Sequence, residues 1–113
     1  MTALEEPGGS TLEDGYSGSH EATTVPIQFA VGLTRLSLNL DTGAGGSCVV
    51  EIQDVRGMAV PGFGLSEAVP IVANAVVARP TWANGSSIGH LAGMEIRLRF
   101  VLQAARLYSF QFE

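Results

Sequence analysis

Residues 94–112 read MEIRLRFVLQAARLYSFQF, and their alternation decides the fold class. Met94, Ile96, Leu98 and Phe100 are interleaved with Glu95, Arg97 and Arg99, and then Tyr108, Phe110 and Phe112 with Ser109 and Gln111. Successive side chains of a strand point to opposite faces, so this period predicts two strands, each with one buried and one wet face. Tyr108, Phe110 and Phe112 share a face and are expected to close the hydrophobic core. Arg97 and Arg99 share the opposite face with Glu95, and Arg106 is expected across from them after a turn at Gln103–Ala104. Such a row suits either carboxylates of another chain or a solvated face of weak cross-strand ion pairs.

Upstream the same period recurs. Leu36, Leu38 and Leu40 alternate with Ser37, Asn39 and Asp41, and Val50 and Ile52 with Glu51 and Gln53. Between them DTGAGGS (41–47) has three glycines, a permissive turn expected to join the two strands as a hairpin. Asp54-Val55-Arg56-Gly57 has Asp first and Gly fourth, as a type I turn prefers. Thr23 to Ala30 is rich in β-branched and aromatic residues, and Pro26 places it at a sheet edge or strand start. Val69 to Ala78 is apolar except for Asn74, and its valines and flanking prolines favour extended chain. Ser86 to Gly93 reads as a helical turn capped by serine and ended by glycine. About eight short strands at turn spacings of about 8 to 12 residues predict an all-β, antiparallel β-sandwich or jelly roll, with one short helical turn near residues 87–92.

Residues 1–20 are acidic and rich in Gly and Ser, with Tyr16 the only aromatic, and too little apolar surface to offset ordering entropy. They are expected to form a flexible arm, with one domain over residues 21–113. A chain of 113 residues can bury a core without metal or disulfide staples, and Cys48, the only cysteine, is expected to be a buried, inert thiol.

Composition narrows the partners. There is no lysine, the six arginines are scattered, and the net charge is −5, so the basic footprint that neutralises phosphates or anionic lipids is missing. Neither nucleic acid nor membrane is therefore expected as a partner. No apolar run approaches the ~20 residues of a spanning helix, and the acidic start lacks a signal peptide's basic and apolar regions, which makes the cytoplasm the default location.

Chemistry-bearing residues are sparse. His20 and His90 have no further ligand at metal-binding spacing, so no metal and no cofactor is expected. A carboxylate pair for glycoside hydrolysis would have to come from Asp41, Glu51, Asp54, Glu67 or Glu95, but Asp41 and Asp54 occupy turn positions and Glu51 and Glu95 are expected to point outward on strands, so ordinary structural roles are expected. Gly43-Ala44-Gly45-Gly46 lacks the Lys-Ser/Thr pair and following helix of a phosphate loop. The chain is thus expected not to be an enzyme. Sandwich faces bind sugars by stacking them on Trp and Tyr beside planar polar groups, so Trp82, Tyr108 and Asn84 are candidate glycan contacts, although tryptophan's apolar area more often goes inside.

SCVVEIQD (47–54), Pro61-Gly62-Phe63, Trp82 with Gly85-Ser86, Leu91-Ala92-Gly93 followed by IRLRF (96–100), and LYSFQF (107–112) occur in an order and spacing that carries a likeness. Together they resemble the C-terminal β-sandwich module appended to bacterial proteins of the five-bladed β-propeller glycoside-hydrolase kind. The likeness covers more than half of the chain. It departs after Phe63, where the family pattern has acidic residues and a cysteine near Ala68, a Gly-Asp pair near Ala73-Asn74, and an aspartate at Ser87. The resemblance implies an accessory duty, structural or carbohydrate-associated, with catalysis elsewhere. A copy without its propeller would expose its docking face, expected at Val69, Ile71, Val72, Val76 and Val77 and covered by a second copy in a homodimer or by another protein. The alternative is a carbohydrate-binding module with Trp82 as the aromatic platform.

Overall fold

In the computed structural model, which describes residues 2–3, 12–13 and 19–113, the strands in chain order are β1 (Thr2–Ala3), β2 (Leu12–Glu13), β3 (Ser19–Thr23), β4 (Leu36–Asp41), β5 (Ser47–Gln53), β6 (Asn74–Ala78), β7 (Arg97–Gln103) and β8 (Arg106–Phe112). A single 3-10 turn, η1 (Gly89–Leu91), is the only helical element among the described residues. Every strand pair is antiparallel, and the strands sort into two sheets, β3-β7-β5 and β6-β4-β8, with β1 and β2 along the outer edge of β8. The protein is all-β, a two-sheet antiparallel sandwich.

The alternation read from the sequence builds its interior. Leu36, Leu38 and Leu40 of β4 and Leu107 and Phe110 of β8 face Cys48, Val50 and Ile52 of β5 and Leu98, Phe100 and Leu102 of β7, and all are buried. Each such aliphatic or aromatic side chain contributes about 1.5–3 kcal/mol by leaving water.

Several expectations are corrected. First, β4 and β5 are not a hairpin, because they lie in different sheets and residues 42–46 cross the sandwich between them. β7 and β8 are joined in the same manner, so Arg106 aligns with Asp41 of β4 and Glu13 of β2 rather than with the β7 arginines. Both arrangements turn the apolar face of each strand to one core, which is why the pattern does not distinguish them.

Second, Tyr108 is exposed while Leu107 is buried. Opposite β4, Asn39 aligns with Ser109 but Leu40 with Leu107, so Tyr108 is the extra residue of a bulge that reverses the phase of β8. Third, Glu51 is only 8 % exposed although it points away from the core, because Leu65 N donates to its Oε2 at 3.2 Å and the Gln53 and Arg99 side chains meet its Oε1. Fourth, the residue before η1 is Ile88, which makes no side-chain cap; its N–H donates to Thr34 O at 2.8 Å. Met94 also lies outside β7 and is exposed, so regular pairing begins at Arg97. The Asp54–Gly57 reversal forms as expected, with Gly57 N donating to Asp54 O at 3.1 Å and Gly57 at φ +87°. There the N–H of Met58, followed by those of Arg56, holds the Asp54 carboxyl below its usual range.

The N-terminal boundary expected between residues 20 and 21 falls within β3, whose pairing to β7 starts at Ser19 opposite Gln103. Thr2–Ala3 and Leu12–Glu13 align with Phe110–Ser109 and Leu107–Arg106 along the edge of β8. The remainder of the stretch read as an arm lies outside the described residues.

Cys48 is fully buried, and burial pushes its thiol from 9.0 up to about 12. The folded state holds this proton more tightly than the unfolded chain does, so its stabilising contribution is complete below pH 9 and disappears as pH rises toward 12. We therefore expect the unfolding free energy of the parent to fall, above about pH 9, by up to about 1.4 kcal/mol per pH unit more than that of Cys48→Ala. Urea denaturation of both proteins across this range checks it, and parallel pH curves would refute it.

Candidate functional site

Two turns meet beside β5, where Ile52 N donates to Phe63 O and the Trp82 indole reaches Val50 O, and η1 joins them through His90. The first, Val60–Phe63, is closed by Phe63 N donating to Val60 O at 2.9 Å, with Gly62 at φ +90°, a backbone conformation that glycine supplies without strain. The second is the tight reversal Trp82–Gly85, in which each end donates its N–H to the other's carbonyl at 2.9 and 2.8 Å. Ala83 and Asn84 form its exposed tip. Trp82 is pinned inward because its indole Nε1–H donates to Val50 O at 2.9 Å and Phe63 meets it edge-on with centroids 5.0 Å apart. His90 of η1 tilts against Phe63 with ring centroids 5.5 Å apart.

Pro61, Gly62, Phe63, Trp82, Asn84, Gly85, Ser87 and His90 enclose a surface cleft of about 320 Å³. Its floor is aromatic and its rim polar. Trp82 is 3 % exposed and Phe63 7 %, whereas Asn84, Ser87 and His90 are exposed. Among the described residues none of these three polar side chains has a hydrogen-bond partner.

Of the residues proposed for glycan contact, Asn84 stands at the rim of this cleft and Trp82 beneath its floor. The burial of Trp82 leaves its ring faces covered, so it does not form an open platform. Tyr108 is on β8 of the other sheet and takes no part in the cleft. The sequence alone assigns no binding role to Phe63, Ser87 or His90. Phe63 and Trp82 both stood in the quoted motifs, but no spacing in the chain signals that these turns meet.

The apolar run divides. Val69, Val72, Val76 and Val77 are 48, 60, 70 and 46 % exposed, while Ile71 packs against the core and pairs with Cys48, exchanging N–H···O bonds at 2.8 and 2.9 Å. Ile71 thus belongs to the wall of the sandwich and not to the exposed patch. Consecutive valines face solvent at 76 and 77 because β6 takes three steps from Ala75 to Ala78 against two on β4 from Leu40 to Leu38, a bulge that breaks the alternation.

The outer face of the β3-β7-β5 sheet carries a satisfied charge cluster. The Arg99 guanidinium holds both oxygens of Glu21 at 3.1 Å and donates to Glu51 Oε1 at 3.4 Å. Gln53 Nε2 also donates to Glu51 Oε1, at 2.7 Å. Glu21 and then Glu51 raise the Arg99 pKa. Both carboxylates share one cation, which gives them a structural reason to be present. Among the described residues no three His, Cys, Asp or Glu side chains gather as a metal site, and no helix is long and apolar enough to cross a membrane. Comparison with protein-family models, curated proteins and solved structures finds no match to this chain.

Proposed function

We propose that this protein is a non-catalytic interaction module that self-associates through the β6 edge. The observation that carries the reading is the state of that edge. β6 is last in its sheet, and among the described residues no strand pairs with its outer side. Soluble proteins usually blunt such edges with charge, yet Val69 to Ala78 contains no charged residue. Its bulge adds twist but leaves the four exposed valines around a row of backbone donors and acceptors.

A second copy is the occupant that the chemistry favours. Each chain has a net charge of −5, which opposes association over most surfaces, but two β6 edges meet without bringing like charges together. Antiparallel pairing about a two-fold axis would supply backbone hydrogen bonds and cover the valines of both copies at once.

We expect sedimentation velocity across about 1 to 200 µM to show a monomer–dimer equilibrium. Val76→Lys, a change at an exposed position that should shift stability by no more than about 0.5 kcal/mol, should leave only monomer. A parent protein that stays monomeric throughout, or a Val76→Lys variant that dimerises equally well, would overturn the proposal.

A further inference from the structure

We infer that the cleft between Phe63, Trp82 and His90 binds a neutral, hydroxyl-rich ring of monosaccharide size. This goes beyond self-association, since the cleft and the β6 edge share no residue. A volume of about 320 Å³ fits one such ring with part of a neighbour. The lining contains no Asp, Glu, Lys or Arg, so a charged ligand would lose hydration without gaining a partner. Instead it offers an amide, a hydroxyl and an imidazole, groups that both donate and accept, none of which is used within the described protein. Sugar hydroxyls also donate and accept. The exposed His90 ring, backed by the buried Phe63 ring at 5.5 Å, is the surface against which the C–H face of a sugar can lie. Trp82 holds Phe63 in place edge-on, its own N–H already given to Val50 O.

The test follows backbone amides in two-dimensional NMR while glucose, galactose, mannose, xylose or N-acetylglucosamine is added to tens of millimolar. With at least one sugar we expect saturable shifts confined to residues around 61–63 and 82–90. In Asn84→Ala and in His90→Ala the affinity should drop about tenfold, the loss of roughly one hydrogen bond each. Tyr108→Ala should bind as the parent does. Asn84 and His90 are exposed, so both variants should keep the parent melting temperature, and one that does not is replaced by Asn84→Asp or His90→Phe. The inference is overturned if no sugar gives saturable shifts, if the shifts survive both rim substitutions, or if N-acetylprolinamide saturates the cleft while every sugar fails. Because Val76→Lys leaves the cleft untouched, running the titration on that variant separates failure of this site from failure of the dimer.

Discussion

Gly46→Ala should destabilise the protein by at least about 4 kcal/mol, a large part of the 5–15 kcal/mol that holds a domain of this kind together. Gly46 lies where the two sheet-crossing connections touch, residues 42–46 between β4 and β5 and the Ala104–Ala105 step between β7 and β8. A Cβ there would overlap Thr42 O and come within 2.5 Å of Ala104 O and 2.6 Å of Gln103 O. All three obstacles are backbone atoms, and no side chain can rotate away to relieve them. Making room means displacing the ends of strands from both sheets, since Ser47 pairs with Gln103 and Asp41 with Arg106. Overpacking of an adaptable core costs about 1–3 kcal/mol; a rigid junction of two connections should cost more. Gly45→Ala is the control. Its Cβ would enter open space, and its φ lies outside the left-handed region, so its effect should stay within about 0.5 kcal/mol. Thermal unfolding followed by circular dichroism decides between them. A Gly46→Ala protein melting within about 4 °C of the parent would refute the steric account.

This glycine also marks where the sequence stops being informative. DTGAGGS identifies a turn by composition, and the period-two pattern on either side identifies strands and their buried faces, because a half-buried strand has no other way to arrange Leu36, Leu38, Leu40, Val50 and Ile52. Whether the turn returns a strand beside its neighbour or carries it across to the facing sheet is decided by contacts distant in the chain, here β8 against β4 and β7 against β5. The bulge at Tyr108 escapes for a related reason. Leu107 and Tyr108 are both apolar enough to be buried, and only the register against Asn39 and Leu40 selects Leu107. Glu51 is buried by its contacts with Leu65, Gln53 and Arg99, so alternation alone assigns it to solvent. In the cleft, Asn84 was legible as a turn residue with a planar amide, but its neighbours Phe63 and His90 come from segments whose meeting depends on the whole fold. The uncharged run 69–78 fits a buried strand as well as an exposed one, and only the edge position and the bulge of β6 leave Val76 and Val77 in solvent.

Trp82→Ala carries the second large expected effect, a loss of about 4–5 kcal/mol. Removing a buried tryptophan leaves a cavity that a β framework closes poorly, at about 3–5 kcal/mol. The Val50 carbonyl also loses the indole donor that meets it at 2.9 Å, and an unsatisfied buried acceptor costs about 1–3 kcal/mol, reduced here if water enters from the cleft. Trp82→Phe keeps an aromatic ring against Phe63 but not the N–H, so it should lose about 2 kcal/mol, and the gap between the two variants separates packing from hydrogen bonding. The protein reports on itself in this experiment. Its only tryptophan is 3 % exposed, so native emission should be blue-shifted and protected from acrylamide, and both properties should vanish on unfolding in urea. An open glycan platform requires the opposite on each count: emission quenched as readily as free indole, and a Trp82→Ala variant within about 1 kcal/mol of the parent. If that pattern were found, Trp82 would be a surface residue and the floor of the cleft would no longer exist as described.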